Sequence, residues 1–286
     1  MSRRSSRLAS TATVSVVPIP STPKPVIASK RSARQEPVSS NSDTESNTPK
    51  LKKKRAAAKE PTVPEPLPDD GLGRCQWAAS TRYPLLQKYH DTEWCIPGGF
   101  DRSNRYLFEM IILEGAQAGL SWSTVLHKRD AYRAAYDNFD YNLIANTYTS
   151  PSSNERLLQT NIVKNKLKVE ASMINARAFR DLLNELYPDQ AQPADQNGFW
   201  QFLQAYRKPE SKRPLTGGTA SAPVEAVEYL TSSPESDRLS ADLKQRGFKF
   251  VGTTIMYAYL QAVGMEPSGT HHSAQCFKHH KNALAS

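Results

Sequence analysis

Residues 107–122 read LFEMIILEGAQAGLSW. Leu107, Met110, Ile111, Glu114 and Ala118 recur at the three- and four-residue spacing that lines one face of a helix, so an amphipathic helix is predicted over 102–118. One member of the stripe is out of place. A carboxylate such as Glu114 on the core-facing side is costly unless something answers it. Either it closes a buried ion pair or bonds another helix's N-terminus, or it faces a pocket and recognises a polar or cationic ligand. Gly119 and Leu120 break the pattern, and Ser121 is a suitable N-cap for a second helix reaching about residue 135. Trp122 follows this GLSW turn, where it either fills core or supplies a stacking wall.

Helical periodicity continues outward from this stretch. Short helices are predicted near 141–147 and 151–159, a long one over 164–187, and another over 198–206. Ser-Ser-Pro-Glu at 232–235 opens a helix that Gly247 closes, since proline is favoured at a helix start and glycine just past its end. A last apolar helix spans about 254–263. No alternating pair of strands is found, and the expected fold is all-α.

The chain has 286 residues and a formal charge of +9, unevenly placed. Residues 1–70 hold thirteen basic and seven acidic residues and half of the 20 prolines, while none of the 25 aromatics precedes Trp77. Such a composition cannot bury enough apolar surface to offset the entropy of ordering. A disordered basic Pro/Ser-rich tail is expected over 1–70, with the folded part starting near 73. No apolar run approaches the roughly 20 residues of a membrane span, and three cysteines make no disulfide framework. A reducing compartment is expected, with Cys95 as a buried apolar residue. Five basic residues between Lys50 and Arg55 read as a nuclear address, a loose nucleic-acid contact or a solvated charge run. Met1 to Gln35 has seven basic residues and no acid, as in a transit peptide. The expected location is the nucleus in a eukaryote, alternatively the mitochondrion or plastid, and the cytoplasm in a bacterium.

Three constellations could carry chemistry. His272 and Cys276 form HxxxC, one face of a helical turn. With Cys75 and His90 they would complete a Cys₂His₂ tetrahedron suited to zinc, although spacing alone, with the two pairs far apart in sequence, slightly favours scattered cysteines and an unrelated His-rich end (His271, His272, His279, His280). YHDTEW at 89–94, with Trp77 nearby, packs aromatics beside carboxylates. QTNIVKNKLK at 159–168 is a turn between two helical patterns, with lysines at 164, 166 and 168. It either offers backbone N–H groups and a helix N-terminus to phosphate or is an ordinary solvated connection.

RCQWAAS at 74–80, YHDTEW at 89–94, LFEMIILEGAQAGLSW at 107–122 and GFKFVGTTIMYAYLQAVG at 247–264 occur in one order. Together they closely resemble the DNA-3-methyladenine glycosylase I family of the helix-hairpin-helix superfamily, over essentially all of 73–278. The resemblance implies a glycosylase domain at 73–280 with a helix-hairpin-helix fold and one structural zinc ion joining its two ends. It matches Cys75, His90, His272 and Cys276 to the zinc ligands and Glu114 to the pocket glutamate. Tyr89 and Trp122 match the aromatics that sandwich the base, with Trp77 and Trp94 completing the wall. Gly119 and Leu120 match the loop that enters the gap left by an extruded nucleotide. Asn161 to Lys168, including Lys164 and Lys166, lies where the family's hairpin grips the DNA backbone. Three departures stand out: Leu86 replaces a pocket tyrosine, two residues are inserted between Cys75 and His90, and Asn161 replaces the hairpin's usual glycine. Asparagine tolerates left-handed geometry, so the turn is expected to survive.

The implied activity is hydrolysis of the N-glycosidic bond of 3-methyladenine in alkylated double-stranded DNA by a monomer. An ionised Glu114 would act in recognition, and with no lysine placed as a Schiff-base nucleophile the enzyme would be monofunctional. The alternative is a damaged-DNA-binding protein of the same fold without turnover. A zinc-stabilised regulatory protein whose tail does the binding is a third reading.

Overall fold

The computed structural model describes residues 67, 70, 74–96, 99–190, 192–207 and 230–265. Among them are eleven α-helices, two short 3-10 turns and no strand. The helices are α1 (Gln76–Ala79), α2 (Pro84–Thr92), α3 (Asn104–Gln117), α4 (Trp122–Leu126), α5 (Arg129–Ala135) and α6 (Tyr141–Thr147). They continue as α7 (Pro151–Leu158), α8 (Lys166–Leu186), α9 (Gly198–Leu203), α10 (Pro234–Gln245) and α11 (Thr253–Ala262).

Helix α3 is the axis of the domain and packs against α4, α8, α9 and α11. The stripe expected on one face understates its burial: Asn104 and every residue from Tyr106 to Ala116 are buried. A helix surrounded on all sides needs polar residues with partners inside the core. Asn104 meets this by accepting a bond from Phe199 N at 2.8 Å. Glu109 meets it through Arg129 Nε at 2.6 Å and Arg133 Nε at 3.0 Å. Arg129 also reaches Glu93 at 2.7 Å, which in turn accepts from the Tyr106 hydroxyl at 3.0 Å.

The caps read from sequence are present. Ser121 accepts from Thr124 N, and Ser233 forms a reciprocal capping box with Ser236 ahead of Pro234. Gly247 ends α10 at φ +89°, with Phe248 N bonding back to Leu243 O at 3.0 Å. Two expectations need correction. The helix predicted over 121–135 is two helices, because the backbone leaves helical geometry at Lys128, whose ammonium bonds Asn161 O and Oδ1 at 2.9 Å each. Segment 76–92 carries α1 and α2, which periodicity did not reveal.

Near the other end of the domain, the loop after α10 packs on α3 and α8. Asn175 of α8 exchanges two bonds with the Lys249 peptide, at 2.7 and 2.9 Å. A Cβ on Gly115 would approach the Phe250 Cβ at 3.2 Å, so the residue after Glu114 is glycine for close packing. Helix α11 then runs back along α3, facing the same side as Glu114.

Candidate active site

Helices α2, α3, α4 and α11, with α1, enclose a cavity of about 240 Å³. Its lining is Trp77, Leu86, Tyr89, Trp94, Glu114, Gln117, Trp122, Ala258 and Gln261. All four aromatics and the glutamate named from sequence are therefore brought together. Leu86, the departure from the family's tyrosine, also faces the hollow. Gln117 and Gln261 were not foreseen; each lies where a helical pattern gives no reason to prefer pocket over surface.

Glu114 is 4% exposed, and among the described residues nothing hydrogen-bonds or ion-pairs with its carboxyl. Burial alone pushes its pKa up to about 8. Burial by itself therefore favours the protonated carboxyl at neutral pH, and the ionised form expected for recognition needs an opposite charge beside it. Bringing a cation beside it reverses the balance, because an opposite charge favours ionisation. Without such a charge, deprotonation at pH 7 costs only about 1.4 kcal/mol, one pKa unit, which is what the cation has to offset.

The Tyr89 hydroxyl and the Trp122 Nε1 are buried and lack a hydrogen-bond partner among the described residues. Burial, then the Glu114 carboxylate, raises the Tyr89 phenol well above its ordinary value, so it acts only as a neutral hydroxyl. The two rings lie 5.3 Å apart between centroids and are tilted by 50°. A flat base stacked between them needs about 7 Å, two contacts of roughly 3.5 Å each. The pair as it stands is closed and must part to admit a base.

Behind the cavity wall lies His90. Trp77 meets it edge-on at 5.0 Å, and Trp94 stacks on it at 5.6 Å. His90 Nδ1 lies 2.9 Å from Asp91 Oδ1, and Arg74 holds that carboxylate through Nε and Nη2 at 2.8–2.9 Å. Burial pushes the Asp91 carboxyl up, but the bonds from Arg74 and His90 outweigh it and hold it below its usual value. With Nδ1 as donor, the Nε2 lone pair faces Cys75 and accepts from its backbone N–H at 3.4 Å. A buried thiol beside a carboxylate-oriented imidazole is the donor chemistry zinc prefers. No group of three metal-holding side chains occurs among the described residues, and His272 and Cys276 lie outside them.

Gly119 and Leu120 form the loop between α3 and α4. Gly119 has φ +74°, and Leu120 is 40% exposed. The turn from 159 to 165 joins α7 to α8, with Lys164 and Lys166 exposed and Asn165 capping α8 through Lys168 N. Asn161 does not use its left-handed tolerance and keeps a negative φ. Lys168, grouped with the phosphate-facing lysines from sequence, is turned inward. Its ammonium donates to Ala116 O at 2.8 Å and Ala118 O at 2.6 Å, and burial lowers its pKa.

Comparison with known proteins agrees with this geometry. DNA-3-methyladenine glycosylase 1 of Escherichia coli (strain K12) is 39% identical over 201 residues, covering 68% of this chain and 91% of that protein. A crystal structure of a 3-methyladenine DNA glycosylase I superposes with a TM-score of 0.52 at 40% identity, over 68% of this chain and 93% of the other. A tyrosine-to-phenylalanine variant of such an enzyme, solved in complex with 3-methyladenine, gives 0.51 at 27% identity over 68% and 98%. The sequence model described as methyladenine glycosylase matches residues 77–279, and the chain belongs to that family.

Proposed function

We propose that this chain is a monofunctional DNA glycosylase of base-excision repair, hydrolysing the N-glycosidic bond of 3-methyladenine in alkylated DNA. The observation that carries this reading is the buried Glu114 carboxyl, without a partner among the described residues, in a cavity walled by four aromatic rings. A cavity selective for a neutral ligand gains nothing from such a group; one selective for a flat cation does. The E. coli relative and the 3-methyladenine complex support it.

A duplex hides the glycosidic bond, so the damaged nucleotide must be extruded. Gly119 and Leu120 are suited to enter the gap, while Lys164 and Lys166 on the hairpin hold phosphates. The methylated purine carries positive charge in DNA. Parting of Tyr89 and Trp122 lets it stack, with a cation–π gain on the order of 1–2 kcal/mol once desolvated. Glu114 gives up its proton to solvent, and its carboxylate accepts from the exocyclic amine. Neutral adenine offers no charge to drive that deprotonation and is rejected. The bond between C1′ and N9 then breaks, its electron pair neutralising the departing base. Water adds to C1′ of the oxocarbenium-like sugar and releases one proton. Among the described residues no lysine lines the cavity, so none of them places an amine to form a Schiff base and cleave the strand.

Cys75, His90, His272 and Cys276 would hold one zinc ion in a closed shell. With no open position it supplies folding free energy and leaves the reaction to the pocket. His90, which would be one of its ligands, is flanked by Trp77 and Trp94, so an ion held there would also support the cavity wall. The hairpin between α7 and α8 acts as the helix-hairpin-helix element, the domain works as a monomer, and the 1–70 tail serves address or partner rather than turnover.

The test is release of free 3-methyladenine from methylated duplex DNA by the purified chain. Base release that survives deletion of residues 1–70 is the expected result. Tight binding to alkylated DNA with no free base would overturn the proposal in favour of a non-catalytic damage-binding protein.

A further inference from the structure

Lys168 occupies the first turn of α8, immediately after the hairpin, yet its charge is spent 50 residues away in sequence. The ammonium bridges Ala116 O and Ala118 O, on either side of Gln117, the last residue of α3. Cations are favourable at a helix C-terminus, where the final carbonyls lack intrahelical partners. What distinguishes this cap is its position. It lies between Glu114 and Gln117, which face the cavity, and the Gly119–Leu120 loop, which leads through Ser121 to Trp122.

That loop has little else to fix it. A Cβ on Gly119 would meet nothing within 4 Å, and Leu120 is exposed. One backbone bond, Leu120 N to Gln117 O at 2.6 Å, closes the turn. Helix α3 itself is held by burial on every side and does not depend on the cap. We propose that Lys168 is a positioning residue for nucleotide extrusion: it ties the backbone-gripping hairpin to the inserting loop, so that the two contacts with DNA act at a fixed separation. The inference rests on the glycosylase reading and deepens it. Lys164 and Lys166 anchor the duplex, and Lys168 converts that anchoring into a defined placement of Leu120 and of the rings behind it. Losing it leaves the anchor intact and the loop unguided.

The full chain and its Lys168→Met variant are compared on a duplex carrying 2-aminopurine beside a tetrahydrofuran abasic site, whose fluorescence rises when loop insertion unstacks it. Lys168→Met is expected to bind undamaged duplex within twofold of wild type but to lose most of the fluorescence rise. Its kcat for 3-methyladenine release should fall at least tenfold at near-constant KM, and Lys168→Arg should recover part of both. A natively folded Lys168→Met with wild-type fluorescence and kcat overturns the proposal. So does a tenfold loss of undamaged-DNA affinity at unchanged kcat, which would make Lys168 a phosphate contact. If Lys168→Met does not fold, Lys168→Gln enters the same comparison, and failure of both to fold makes the residue structural and the proposal wrong. Should the wild type release no base while its fluorescence change still depends on Lys168, the glycosylase reading fails and the positioning role stands.

Discussion

Replacing Glu114 with Gln should make the protein more stable and less active, by amounts that depend on pH. The carboxyl has an ordinary value of 4.5 and is pushed to about 8 in the fold. Between those values the folded chain binds a proton that the unfolded chain has released, so stability falls as pH rises across the window and is lowest above 8. A neutral amide of the same shape escapes this loss. Taking 1.36 kcal/mol per pKa unit, the variant gains about 1 kcal/mol over wild type at pH 5, about 3 at pH 7 and about 5 at pH 9. Urea denaturation at the three pH values, with loading of the predicted zinc site held constant, measures the difference. Release of 3-methyladenine should fall by about 10- to 100-fold at pH 7, about 1.4–2.7 kcal/mol of lost transition-state stabilisation. A stability difference flat with pH would mean that the carboxyl is solvated or paired, and the cavity argument would fail with it.

The remaining predictions concern the frame around the site. Gly264 has φ +77°, and a Cβ there would overlap the Ile96 carbonyl oxygen; Gly264→Ala should cost at least about 3 kcal/mol in a urea melt. Lys164→Ala and Lys166→Ala should each weaken binding to any duplex and reduce the slope of log K against log salt by roughly one, measured by anisotropy titration. Metal analysis of the folded chain should find about one zinc per molecule. Cys75→Ser should lose it together with several degrees of thermal stability; a folded protein without zinc would remove the four-ligand assignment.

Local signals made much of the fold legible. Ser121, Pro234 and Gly247 mark their helix ends by chemistry that acts within a few residues, and the structure keeps all three. Helices α1 and α2 escaped because α1 spans only four residues and α2 is held by α4 and α1, packing that a local pattern does not report. The break at Lys128 escaped for a related reason: the bonds that accompany it run to Asn161, 33 residues on.

The site was legible in composition and not in geometry. Glu109 and Glu114 show why, since they are two carboxylates five residues apart on one buried helix, each about 5% exposed. The sequence pattern flags Glu114, which sits on the apolar stripe, and passes over Glu109, although both are buried. The fold separates their fates: Glu109 receives two guanidinium groups, while Glu114 receives no partner among the described residues and faces a hollow. The three lysines of the hairpin divide in the same way, two left to solvent and one drawn to carbonyls at the end of α3. The Tyr89 hydroxyl and Trp122 Nε1 extend the rule, because a buried donor without an acceptor costs free energy that a ligand can return. Glu114, Tyr89 and Trp122, three groups left unanswered among the described residues, converge on one cavity, and that convergence depends on partners supplied or withheld by distant segments.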